Sequence, residues 1–159
     1  RSQCRAEGEA GTKKTLTRLI IEVVNAHPRL RFSREETFRT VANVLRTEHG
    51  APRSLSIVFV GSRKIRSINK RFLRHDEVTD VLSFPLQDGI GFDGELYINL
   101  DRAKAQAKAY GVRFTEETRR LLIHGTLHLA GFADGTRRER ATMTDREEYY
   151  LRKKPRTTR

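Results

Sequence analysis

With 159 residues the chain has length for one domain around a single hydrophobic core, and nothing in it suggests two. Its 32 Lys and Arg against 20 Asp and Glu give a formal charge of +12 and a pI near 10.5, which favours a polyanionic partner, nucleic acid ahead of a membrane surface. Cys4 is the only cysteine, so an internal disulfide is excluded, a metal site must use His and carboxylate, and a reducing cytoplasmic setting is expected. No segment reaches the ~20 apolar residues of a membrane span or resembles a secretory signal, although a start without Met leaves room for a removed leader.

In chain order, residues 1–14 are polar and Gly-containing, the composition of a flexible arm. Residues 15–25 carry Ile20, Ile21, Val23 and Val24, whose β-branching favours a strand, with a short helix the alternative that the period leaves open. Ser33 stands three before Glu36, a capping box that predicts a helix to about His49, with Phe38, Val41, Ala42 and Leu45 on one buried face and Gly50-Ala51-Pro52 as its stop. Ser54–Val60 is the clearest strand, and residues 62–72 mix basic residues with Ile65, Ile68 and Phe72, an amphipathic helix with a basic outer face.

A charged loop from Leu73 then runs into a short apolar strand ending at Pro85, the arrangement of a loop at the mouth of a site. After a Gly- and Asp-rich connection at 87–94, residues 95–100 alternate as a strand. Asp101 is the expected N-cap of a helix over 102–110, closed by Gly111. Thr115-Glu116-Glu117 should cap the next helix, and a last one carries Met143, Tyr150 and Leu151 on its apolar side. The end, 152–159, is a basic disordered tail. The expected fold is a single mixed α/β domain over 15–151, a mixed sheet of about four strands covered by helices, with a His-bearing helix at its centre.

That helix carries the chemistry. An α-helix turns about 100° per residue, so His124 and His128 lie about 40° apart around the axis, one turn above the other, where both rings reach one ion. Gly131 predicts a helix stop, which lets the chain turn back and deliver Asp134; on a continued helix Asp134 would point about 80° away from His124. Three such ligands leave a coordination position open for water, as catalytic zinc sites do. The blander readings are two partly buried polar histidines and an Asp134 that merely caps the last helix. No Glu follows His124, where the HExxH zinc proteases carry their general base, so a protease of that kind is disfavoured.

Four segments in this order resemble the YbeY family of bacterial endoribonucleases. They are Ser54–Val60, the block Thr79-Asp80-Val81-Leu82-Ser83-Phe84-Pro85, the strand Gly94-Glu95-Leu96-Tyr97-Ile98 with its helix reaching Gln106-Ala107, and residues 124–134. With Glu139, Met143 and Glu147 the likeness runs from about residue 16 to 151. The resemblance implies a zinc-dependent hydrolase with one Zn²⁺ per chain that cuts single-stranded RNA. It also implies work in ribosomal RNA maturation, notably at the 3′ end of the small-subunit RNA, and in ribosome quality control.

His124 and His128 match the family's first two metal ligands, but Asp134 stands where the third is usually a histidine. A carboxylate binds zinc at nearly the same distance, leaves the ion less positive, and admits harder ions such as Mn²⁺. The family's loop arginine, six positions before the Thr of the Thr79 block, is replaced by Leu73, with Arg74, Arg71 and Lys70 nearby. The expected site therefore has His124, His128 and Asp134 on the metal, Asp134 and Arg74 in catalysis, and Lys70, Arg71, Arg74, Arg137, Arg138 and Arg140 along the RNA backbone. The competing class is a non-catalytic RNA- or ribosome-binding protein with a structural metal, and a metalloprotease-like hydrolase comes third.

Overall fold

The structure is a computed structural model that describes residues 18–48, 54–86 and 93–153. The arm at 1–14, the start of the first expected strand, the Gly50-Ala51-Pro52 stop, most of the 87–94 connection and the tail beyond 153 lie outside the described residues. Four strands, β1 (Ile20–Asn25), β2 (Ser54–Val60), β3 (Val81–Pro85) and β4 (Gly94–Asn99), form one sheet in the order β1-β2-β4-β3. β1, β2 and β4 run parallel and β3 is antiparallel on the edge, so the sheet is mixed as expected. Five helices accompany it among the described residues: α1 (Arg34–Thr47), α2 (Ser62–Leu73), α3 (Leu100–Tyr110), α4 (Phe114–Leu129) and α5 (Arg137–Arg152).

The two-residue period of the strands decides which helix covers which face. Leu55, Ile57 and Phe59 of β2 and Leu96 and Ile98 of β4 are fully buried against Val41 and Leu45 of α1, Leu100 and Ala103 of α3, and Leu121 and Leu122 of α4. Val58, Val60 and Tyr97 point the other way, onto Ile65 and Ile68 of α2. The opposite side of α4, Ile123 and Leu127, packs on Met143 and Tyr150 of α5. The His helix is thus sandwiched between sheet and α5, which holds its backbone rigid where the two histidines emerge.

Gly125 sets how closely α4 approaches the sheet. A Cβ there would stand 2.3 Å from Leu96 Cδ1 and 2.9 Å from Val81 Cγ1, so only glycine permits this contact. Ser83 Oγ donates to the Gly125 carbonyl across the same gap, tying β3 to the helix between the two histidines.

Several expectations need correction. α1 is capped by Ser33, whose hydroxyl accepts from Glu36 N–H, but the Glu36 carboxylate lies near Arg119 at 3.8 Å. Phe38 is 40% exposed, because the buried stripe of α1 runs instead through Thr37, Thr40, Val41, Val44 and Leu45. Phe72 is likewise exposed, packed edge-on against Phe84. α3 is capped by Asn99, whose Oδ1 accepts from Asp101 and Arg102 N–H, and not by Asp101. α4 starts after Arg113 with no side-chain cap, so Thr115 is already inside it. Arg152 belongs to α5 rather than to the tail.

Candidate metal centre

α4 ends as the sequence requires: Ala130 is its C-cap and Gly131 takes φ +100°, a conformation that side chains other than glycine's rarely adopt. The reversal brings Asp134 back over the last turns. Asp134 Oδ2 lies 3.5 Å from His124 Nε2 and 3.3 Å from His128 Nε2, and the two Nε2 atoms are 3.0 Å apart. Among the described residues these three form the group of His, Cys, Asp or Glu side chains that could hold a metal ion. Donors about 2.0–2.1 Å from a tetrahedral zinc sit roughly 3.3 Å from one another, the spacing found here.

The far side of each ring decides what the near side can do. His128 Nδ1 lies 2.9 Å from the Phe132 carbonyl, which can only accept, so that nitrogen carries the hydrogen. His124 Nδ1 lies 2.5 Å from Oε1 of Glu147, a residue only 8% exposed, and donates to it. In their neutral forms both rings therefore turn a bare Nε2 lone pair toward the other and toward a carboxylate oxygen. Three acceptors aimed at one point repel one another unless a cation lies among them, and carboxylate–histidine pairing of this kind orients and strengthens metal ligands. The donor set therefore fits a divalent ion.

Electrostatics agree. Burial pushes the pKa of His124 down, but the Glu147 hydrogen bond and the charges of Glu147, Asp134 and Asp80 outweigh it and leave the value raised. The site is open on one side: a cavity of about 480 Å³ is bounded by Thr79, Asp80, Ser83, His124, His128 and Asp134. A second cavity of about 310 Å³ shares His124 and Asp134 with it.

The basic residues separate into groups. Arg74 is the C-cap of α2, in a left-handed conformation with φ 57°, and it is Leu73 before it that lines the metal cavity. Lys70 lies 3.8 Å from Asp76, which Arg66 also grips with two hydrogen bonds, and the Arg71 guanidinium stacks over Phe72. Arg137 and Arg138 open α5, exposed. Arg140 donates to the carbonyls of Asp134 and Gly135, so it braces the loop that presents the third ligand. That helix is capped by a complete box of Thr136 and Glu139, which leaves Asp134 free of capping duty.

The role of Glu147 is not visible in the motif at 124–134 itself. Met143, Glu147 and Tyr150 follow helical spacing on the buried side of α5, and a lone carboxylate in that stripe was the available signal.

Fold and site together define an α/β domain with an open cluster of three donors that could hold a metal ion, beside a cleft. The chain belongs to the YbeY endoribonuclease family: the family model described as endoribonuclease YbeY matches residues 21–154. The endoribonuclease YbeY of Chlorobaculum tepidum is 44% identical over 108 residues, 68% of this chain and 79% of that protein. The endoribonuclease YbeY of Chlorobium phaeobacteroides is 42% identical over 113 residues, 71% and 80% of the two chains. A solution structure of a Thermotoga maritima protein, 23% identical, covers 83% of this chain and 87% of its own with a TM-score of 0.57, a likeness of fold.

Proposed function

We propose that this protein is a metal-dependent, single-strand-specific endoribonuclease with one zinc ion per chain, acting in maturation of the small-subunit ribosomal RNA 3′ end and in ribosome quality control in the cytoplasm. The family and the close relatives that carry the endoribonuclease name support the reaction class. The observation that carries the site is the convergence of His124 Nε2, His128 Nε2 and Asp134 Oδ2, with both outer ring nitrogens already engaged. No helix among the described residues is long and apolar enough to cross a membrane. The working unit runs from residue 15 to Arg152 at the end of α5, with the polar stretch 1–14 ahead of it and a basic stretch after it that adds charge for polyanionic RNA.

Bound zinc supplies a Lewis acid and an acidified water. The chain's own groups do the rest. Glu147 and the Phe132 carbonyl hold the two imidazoles in the tautomer that leaves Nε2 bare. Asp134, 44% exposed at its side chain, carries a second oxygen beside the Oδ2 that faces the imidazoles, and this oxygen takes the proton shed by the attacking water. Arg74, Lys70, Arg71, Arg137 and Arg138 neutralise phosphates and set the register of the strand across the cleft. With Leu73 in place of the family's loop arginine, Arg74 supplies the charge opposite the cleaved phosphate.

The test is cleavage of matched single- and double-stranded RNA by purified protein, before and after chelation and after zinc return. Cleavage of the single strand alone, abolished by chelation and restored by zinc, is expected. A well-folded, zinc-loaded protein that binds RNA and never cuts it would leave the non-catalytic binding protein, the reading that the Asp134 and Leu73 departures both favour.

A further inference from the structure

The smaller cavity, about 310 Å³, lies between α3, α4 and α5 and shares His124 and Asp134 with the metal centre. Its lining differs in kind from the basic surface around it. Gln106 and Tyr110 come from α3, and Glu117 from α4. Gln106 Nε2 donates to Asp80 Oδ2 at 3.1 Å, which turns Oε1 away as a bare acceptor. Gln106 Oε1 and Glu117 Oε2 are both buried with no hydrogen-bond donor. Glu117 is only 2% exposed, and the nearest cation to Oε2, Arg120 Nε, is 3.7 Å away, beyond hydrogen-bond range. Arg120 and Arg140, the cations of this cavity, are engaged by Glu148 and by the Asp134 and Gly135 carbonyls.

Buried acceptors without a donor are uncommon in folded proteins and call for one from outside. Tyr110 lines the same cavity yet is 66% exposed, a large ring kept in water. Single-stranded RNA is read by stacking a splayed base on an aromatic face and hydrogen bonding to its edge. With both arginines of the lining already engaged, the two unpartnered acceptors of Gln106 and Glu117 suit a base edge rich in N–H donors better than a phosphate.

We propose that this cavity is a nucleobase subsite beside the cleavage centre, in which Tyr110 stacks the base and Gln106 and Glu117 accept from its edge. Guanine is the base it selects, because guanine alone presents two adjacent donors, N1–H and the 2-amino group, to a pair of acceptors. Uracil would turn carbonyl oxygens toward the same carboxylate. The inference rests on the RNA-cleaving reading and adds a sequence preference at one nucleotide flanking the cut.

The experiment uses the full chain, loaded with zinc, on single-stranded oligoribonucleotides that differ only in the base at each position flanking the cut. Anisotropy binding of the same oligonucleotides is measured in parallel. Guanine at one flanking position should raise kcat/KM about tenfold over uracil, the scale of a stacked and hydrogen-bonded base. Tyr110→Ala should lose roughly tenfold in kcat/KM while Tyr110→Phe keeps it, and Glu117→Gln should flatten the guanine-to-uracil ratio. If Glu117→Gln fails to fold by circular dichroism, the exposed Tyr110 pair decides alone. Equal rates for all four bases at every flanking position, or Tyr110→Ala indistinguishable from wild type, would overturn the subsite. Guanine-selective binding that Tyr110→Ala abolishes, without any cleavage, would retain the subsite and remove the nuclease reading; unselective binding without cleavage would remove both.

Discussion

Glu147 on α5 and His124 on α4 are joined through Nδ1 across the helix–helix interface, and that one hydrogen bond decides which nitrogen of His124 faces the metal site. The carboxylate also makes the ring a better donor to a cation. Removing such an outer partner typically weakens metal affinity by about 10–100-fold. Glu147→Ala is expected to show this loss in a zinc competition titration, with Glu147→Gln in between because its amide oxygen still accepts. Unchanged affinity in Glu147→Ala would mean that the imidazole is positioned by other neighbours.

The same pair sets a pH dependence in the metal-free protein. The pKa of His124 is raised above its ordinary 6.5 against the pull of burial. A raised folded-state value contributes stability that is fully present below the unfolded pKa and is lost as pH rises through the folded one. In chelated protein, the gap in melting temperature between wild type and Glu147→Gln should therefore be widest at mildly acidic pH and shrink as pH rises. A gap that widens toward alkaline pH would contradict the assignment. Zinc retention runs the other way, because protons compete for Nε2.

Gly125 is where fold and site meet most tightly. Adding one methyl group in Gly125→Ala forces α4 away from Leu96 and Val81, and overpacking of this kind costs about 1–3 kcal/mol. Denaturant unfolding should read that loss. The tilt of α4 should also lower cleavage more than the stability change alone explains, whereas cleavage equal to wild type would show that His124 and His128 tolerate the shift.

RNA binding by the basic residues should appear in the salt dependence. For a single strand, each phosphate that a side chain neutralises adds about 0.7 to the slope of log K against log salt. Arg138→Gln and Arg74→Gln are each expected to shallow the slope by about that amount with zinc content intact. Arg140→Gln should instead loosen the Asp134 loop and reduce zinc affinity, since its guanidinium holds two carbonyls there.

Much of this was legible in the sequence because it lies in short-range pattern. The apolar run in Ser54–Val60, the four-residue interval between His124 and His128, and the glycine stop before Asp134 are all local signals, and each reappears in the structure. What escaped depends on partners far along the chain. Asn99 and Asp101 are both good capping residues two positions apart. Only the folded chain shows Asp101 drawn off by His27 and by Ser62 N–H, leaving Asn99 to cap α3. Phe38 satisfies helical spacing yet stays exposed because the buried stripe of α1 is centred one residue away, whereas Phe72 continues the line of Ile65, Ile68 and Asn69 but lies in the last turn of α2 and is exposed. The duty of Glu147 could not be assigned without knowing that α5 packs on α4.

In the proposed function His124, His128 and Asp134 hold one catalytic zinc ion. The most direct measurement is elemental analysis of purified wild type, His128→Ala and Asp134→Ala, with single-stranded RNA cleavage assayed on the same samples. Near one zinc per chain in wild type, with zinc and cleavage lost together in both folded variants, is the expected result. Stoichiometric zinc and full cleavage in Asp134→Ala would contradict it.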